Sequence, residues 1–470
     1  MQKSTPFRLT LLAIAIVVGF NLAGCSVAPA YQRPATPEPV AFKELEGWVP
    51  AAPADALERG PWWQLFNDPV LDELAASVEV SNQNVALAVA NYAQARALVA
   101  QQRASLFPAV ALGLSGDRSG VRGQGADSSY RLNLGGSWEP DVWGRLRAGV
   151  TSARAGLDAS AADLANARLS SQGELAANYF TLRSLDVARD LLLRTIAGYE
   201  RELQITTNRF NVGIVARTDV LQAQSQLASA RGDELGVRRQ RAQFEHAIAV
   251  LVGRAPAQFS LAPRTDWTIT VPEVPVGVPS TLLQRRPDIA AAERDVAAAN
   301  AEIGIARAAY FPNIGLSGSV GTGGSRVGDL FSASNAAWSF GLSAAQSIFN
   351  AGATRAGVAG AEARHQAAVA RYRQTVLNAF ADVEDQLSAT RVLAQQQALR
   401  REASEAADLV EQQIMNRYKA GQVGYTEVVQ AQVTALNARR SLVQVQTDRQ
   451  TVAVALIQSL GGGWHAGALP

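Results

Sequence analysis

The sequence predicts a mainly α-helical chain that also carries four membrane-spanning β-strands and is built from two copies of one unit. Three observations predict this. Tyr130, Leu132, Leu134 and Trp138 alternate with Arg131, Asn133, Ser137 and Glu139, and only a strand puts those two sets on opposite faces. Around that stretch the chain is Ala-, Gln- and Arg-rich, and no proline interrupts it from Arg147 to about Phe210. Finally, the order of elements up to residue 253 recurs after residue 287.

The N-terminus reads as an address. Lys3 and Arg8 precede an apolar run from Leu9 to Phe20, about twelve residues long, which suits a signal peptide over 1–24 and is short for a membrane span. Leu22-Ala23-Gly24-Cys25 follows and resembles the bacterial lipobox, with Cys25 as the lipidated residue. By analogy with lipoproteins that carry this motif, Ser26 after it, rather than Asp, implies sorting to the outer membrane. Acyl chains on Cys25 make a firm anchor when there is more than one. Segment 25–65 is rich in proline (Pro29, Pro34, Pro37, Pro39, Pro50, Pro53) and reads as an anchor followed by extended chain.

The first copy spans 66–253. Asp68-Pro69 starts a helix, because Asp caps the free N–H groups and Pro fits the first helical position. The helix runs to about Leu106 and stops at Phe107-Pro108. Strands follow near 107–118 and 128–140, separated by a Gly-rich loop. A long helix from Arg147 to about Phe210 carries a stripe of Leu175, Tyr179, Leu182, Leu192, Ile196, Tyr199 and Leu203. At ~1.5 Å per residue it is roughly 95 Å long. Gly213 breaks it, and a second helix runs from about Thr218 to Leu251.

The second copy spans 287–461. A helix opened by Arg286-Pro287-Asp288 ends at Tyr310-Phe311-Pro312, and strands follow near 311–322 and 337–348. The next helix, Thr354 to Tyr418, carries Val369, Tyr372, Val376, Phe380, Val383 and Leu387 on one stripe. Gly421 and Gly424 break it, and the last helix ends at Leu460-Gly461. Asn208-Arg209-Phe210 with Gly213 answers Asn416-Arg417-Tyr418 with Gly421, an offset of 208 residues. The Pro-rich segment 254–286 joins the copies, and 462–470 is a tail. Two shorter helices laid end to end would match each long one.

Strands cross hydrocarbon only as closed barrels, since unpaired backbone groups are intolerable there. Four per chain cannot close, so the barrel must be shared between two, three or four copies. Tyr130, Leu132, Leu134, Trp138, Trp338, Phe340 and Leu342 are the candidate lipid-facing residues, with Tyr130, Trp138, Trp338 and Phe340 as interfacial aromatics. The intervening small and polar residues suit a watery lumen. Two soluble hairpins packed on the chain's own helices are the alternative.

Composition excludes several classes. There are 43 Lys and Arg against 41 Asp and Glu, and without Lys3 and Arg8 the balance is 41 to 41, unlike a nucleic-acid binder. Cys25 is the only cysteine, and His246, His365 and His465 are far apart, so no metal site is indicated. The Gly-rich stretches Gly120–Gly125 and Gly321–Gly328 lack the Lys-Ser/Thr of a phosphate-binding loop. No nucleophile and base fall at catalytic spacing, so neither an enzyme nor a cofactor is expected, apart from lipid on Cys25.

The chain resembles the TolC-like outer-membrane efflux proteins, in the lipidated, OprM-like branch of resistance-nodulation-division systems. The marks are Leu22-Ala23-Gly24-Cys25, Trp62-Trp63-Gln64-Leu65-Phe66-Asn67-Asp68-Pro69, Arg285-Arg286-Pro287-Asp288-Ile289 with Ala292-Glu293, and Gly461-Gly462-Gly463-Trp464. The resemblance implies a homotrimer, hence a 12-stranded barrel continued by a long α-helical barrel. It implies a periplasmic adaptor and, through it, an inner-membrane pump as partners, with outer-membrane lipid around the barrel. The function it implies is a passive conduit for drugs or other small toxic compounds. Rival readings are the outlet of a protein secretion system and a structural coiled-coil lipoprotein.

The resemblance also implies a gate at the periplasmic tip, with acidic side chains near the second turn. Here that position holds Gln422, Val423 and Gly424. Substitute charges nearby are Arg209, Arg217 and Asp219 at the first tip, and Arg417, Lys419 and Glu427 at the second. The candidate tip and gate residues are therefore Arg209, Gly213, Arg217, Asp219, Arg417, Tyr418, Gly421 and Glu427. Arg209 or Arg417 bonded to Asp219 or Glu427 between hairpins is the expected closed contact. The turns 210–216 and 420–425 are the expected docking points for the adaptor.

Overall fold

The computed structural model describes residues 26–36, 39, 41–45, 61–121, 125–267, 270–272, 274 and 286–462. The signal peptide, Cys25 and the end of the tail lie outside the described residues. The helices are α1 (Pro69–Ser81), α2 (Gln83–Ala104), α3 (Arg145–Asn211), α4 (Arg217–Leu251), α5 (Pro287–Ala308), α6 (Ala353–Lys419) and α7 (Tyr425–Ser459). The strands are β1 (Ala109–Gly120), β2 (Ala126–Trp138), β3 (Asn313–Gly324) and β4 (Ala336–Ala345). The repeat is close: α3 and α6 both have 67 residues, α4 and α7 both have 35. At about 1.5 Å per residue each long helix measures roughly 100 Å. Among the described residues no helix is long and apolar enough to cross a membrane.

The chain divides into two compact units. The first comprises Met1–Thr36, Asn91–Ala161 and Ala291–Gln374. It holds one sheet in the order β1-β2-β3-β4, antiparallel throughout, so the hairpins of the two copies pair through β2 and β3. Its foot is fixed by aromatic side chains. The Trp138 indole N–H donates to the Leu106 carbonyl at 2.9 Å, and that of Trp143 to the Pro312 carbonyl at 2.8 Å. Trp143 also stacks on Phe311, with centroids 4.8 Å apart. Residues 26–36 strap the helices: Asn300 donates to the Pro29 carbonyl at 2.9 Å, Arg33 to the Tyr372 hydroxyl at 3.2 Å, and the Tyr31 hydroxyl to Glu293.

The second unit comprises Pro37–Ala90, Ala162–Ala290 and Thr375–Pro470. Its core joins Trp62, Trp63, Phe66 and Leu71 to Leu175, Tyr179, Phe180, Leu182, Val383, Leu387 and Leu456, all buried. The Asp68 carboxylate accepts from the backbone N–H of Val70 at 3.0 Å, with Pro69 next, and also from the Tyr179 hydroxyl at 2.8 Å. One expectation needs correcting. The helix read from Pro69 to about Leu106 is two helices, because Asn82 adopts extended backbone between them (φ −68, ψ 129). The Asn82 side chain caps α2, accepting from Asn84 N–H at 2.9 Å and Val85 N–H at 3.1 Å.

Candidate functional site

Strand pairing settles which side chains share a face. Leu112 pairs with Leu134 and Leu114 with Leu132; Leu134 pairs with Val320 and Trp138 with Leu316. Val320 in turn pairs with Trp338, and Leu316 with Leu342. Because side chains alternate, all seven sequence-selected residues (Tyr130, Leu132, Leu134, Trp138, Trp338, Phe340, Leu342) fall on one face. Val110, Leu112, Leu114, Ile314, Leu316 and Val320 join them there. A soluble sheet covers such a face. Here Trp338 is 82% exposed, Phe340 72% and Leu342 70%. The opposite face is small or polar, including Gly113, Ser115, Asn133, Ser317, Ser319 and Ser343. β1 and β4 are the ends of the sheet, and among the described residues their outer edges pair with no strand.

The second unit holds both helix turns, and they are built alike. Gly213 (φ 76) and Gly421 (φ 74) occupy the left-handed region, where a glycine is least strained. Ile214 N–H donates to the Arg209 carbonyl and Gln422 N–H to the Arg417 carbonyl, both at 2.9 Å. Asp219 and Glu427 stand in the first turns of α4 and α7, where a negative charge complements the helix N-terminus. Among the described residues, none of Arg209, Arg217, Asp219, Arg417 and Glu427 forms an ion pair within the chain. The charged contact read from the sequence is therefore not made inside one subunit. Arg209 instead lies over the Tyr418 ring, 5.0 Å from its centroid. Tyr418 packs on Tyr425 at 5.4 Å, with Ala223 and Val428 completing an apolar cluster.

Four helices enclose polar side chains further along the same unit. The Gln432 amide donates to both Glu202 oxygens, at 2.7 and 2.8 Å. Arg439 reaches Asp408 at 2.8 Å and Glu411 at 2.7 Å, and Gln226 donates to the Tyr199 hydroxyl at 3.0 Å. Burial pushes the Glu202 carboxyl above its ordinary range, against the opposing Gln432 hydrogen bond, and burial also raises Glu411. Glu202 and Gln432 are 230 residues apart, and neither stands out from its helix in the sequence.

Comparison with known proteins agrees with this geometry. A family model described as outer membrane efflux protein matches residues 74–254 and 278–462. The probable efflux pump outer membrane protein TtgC of Pseudomonas putida is 33% identical over 467 residues, covering 97% of this chain and 96% of TtgC. The solved structure of the outer-membrane channel OprN is 31% identical, with a TM-score of 0.85 over 94% of this chain and 100% of that one. That of the open state of the Neisseria gonorrhoeae MtrE outer membrane channel is also 31% identical, with a TM-score of 0.83 over 93% and 98%. The chain, with its unpaired amphipathic sheet and duplicated long helical hairpins, belongs to the outer membrane efflux protein family.

Proposed function

We propose that the chain is the outer-membrane duct of a tripartite efflux pump and that three copies close one barrel of about twelve strands. The observation that carries this reading is the bare apolar face of a sheet whose two edges are open. Lipid would cover that face, and β1 of one copy would seal β4 of the next. Acyl chains on Cys25 would hold the subunit to the membrane. The paired long helices would lead the passage into the periplasm, where the turns 210–216 and 420–425 meet an adaptor coupled to an inner-membrane pump. That pump supplies the energy, and the duct carries drugs or other small toxic compounds passively.

The purified, lipidated protein tests this in planar bilayers together with its mass in detergent. A trimer that forms channels is the expected result; a monomer without conductance overturns the reading and leaves a coiled-coil spacer. The tip is the proposed gate, its charges meeting between neighbouring copies. Asp219→Ala and Glu427→Ala should open more readily in single-channel records, and unchanged opening in both rejects the charged gate.

A further inference from the structure

The small-residue face of the sheet is nearly free of charge. Within the four strands, that face carries formal charge only at Asp117, Asp127 and Arg131. All three lie toward the turn that joins β1 to β2, and β3 and β4 contribute none. Arg131 stands 3.9 Å from Asp117, on adjacent strands, with side chains 67% and 69% exposed. An exposed pair of that kind contributes little to stability. Its larger effect is on the field in the water that the face borders, because rings of charged side chains in a narrow pore select between ions.

We propose that Arg131 and Asp117 set the charge selectivity of the conduit at its turn-side end. The proposal rests on the barrel reading above. Arg131 offsets one of two carboxylates, so the four strands of each subunit carry one net negative charge on that face; without Arg131 they carry two. Repeated around a closed barrel, that difference decides whether anionic or cationic solutes are slowed at this level. Arg118, next in sequence to Asp117, projects from the opposite face by strand alternation and serves as the internal control.

The test is the reversal potential of the full-length protein in planar bilayers under a potassium chloride gradient. The salt should stay near 0.1 M, where the screening length is about 10 Å. Arg131→Gln should raise the potassium-to-chloride permeability ratio about two-fold or more. Asp117→Asn should lower it, and Arg118→Gln should leave it unchanged. Arg131→Cys, labelled after assembly with a positive or a negative thiol reagent, probes the same position in an already folded channel; the shift should follow the reagent's sign. Open channels whose reversal potential ignores both substitutions and both reagents overturn the proposal alone. So does a shift by Arg118→Gln equal to that by Arg131→Gln. A wild-type protein that forms no channel overturns the barrel reading and this proposal together.

Discussion

The side-chain amide of Asn82 donates to the carbonyl oxygen of Leu251 at 2.8 Å, joining the start of α2 to the last residue of α4. Asn82 is buried, and its own oxygen caps α2. One side chain thus satisfies groups at two helix ends that would otherwise lack partners. The second copy uses a different residue for the same task. Arg286 reaches the carbonyl of Ser459, the last residue of α7, at 3.3 Å, and holds Asp288 in the first turn of α5 at 2.7 Å.

Asn82→Ala should cost about 1–3 kcal/mol, since it leaves a buried carbonyl and helix N–H groups unpaired. Asn82→Ser keeps a capping oxygen and loses the donor to Leu251, so it should fall between wild type and Asn82→Ala. Denaturant titration followed by circular dichroism ranks the three; a Ser variant no better than Ala would mean that capping contributes nothing.

Asp186 should be among the least replaceable residues of the second unit. Its buried carboxylate accepts from Arg241 at 2.6 Å, from Arg183 at 3.1 Å and from the Arg264 backbone N–H at 3.1 Å. The two guanidinium groups also bind the Leu261 and Ala262 carbonyls, at 2.6 and 2.8 Å, and so fix the chain that joins the two copies. Asp186→Ala leaves the buried Arg183 without a carboxylate partner and Arg241 with only Glu245, at 3.3 Å, and should destabilise by about 3 kcal/mol. Limited proteolysis should then cut near residues 261–264, a site that stays protected in the wild type.

Two glycines separate backbone strain from steric clash. Gly213 has φ 76, and a Cβ there meets nothing within 4 Å. Gly253 has φ 69, and its Cβ would stand 2.2 Å from the Ser81 carbonyl oxygen. Gly213→Ala should cost roughly 1–2 kcal/mol, the price of a left-handed conformation alone. Gly253→Ala should cost more, because the joint beside Asn82 must also move. Equal melting temperatures for the two variants would contradict this order.

Glu202 gives the second unit a pH dependence of definite sign. Burial lifts its folded pKa above the ordinary 4.5. The folded state therefore binds its proton more tightly than the unfolded state does. Stability from this group is fully present below the ordinary value and is lost as pH rises through the raised one. Thermal unfolding followed as the pH rises from the ordinary carboxylate value should show the fall in wild type and a flatter profile in Glu202→Gln. An unchanged slope in that variant assigns the dependence to Glu411 or another group.

Most elements, and the two faces of each strand, were legible in the sequence. Strand alternation over Tyr130 to Trp138 admits one division into apolar and polar sides, whichever strand lies beside it. Asp68-Pro69 and the two turn glycines are equally local, since a cap and a left-handed residue act within a few positions of themselves. The remainder came from contacts between distant segments. It paired β2 with β3 across the two copies, split the first helix at Asn82, gathered Arg183, Asp186 and Arg241 into one cluster, and set Gln432 against Glu202. Arg, Glu and Gln recur all along these helices, so nothing local marks which of them will be buried. Only the packing of helices distant in sequence removes their water and leaves them the few partners that the fold supplies.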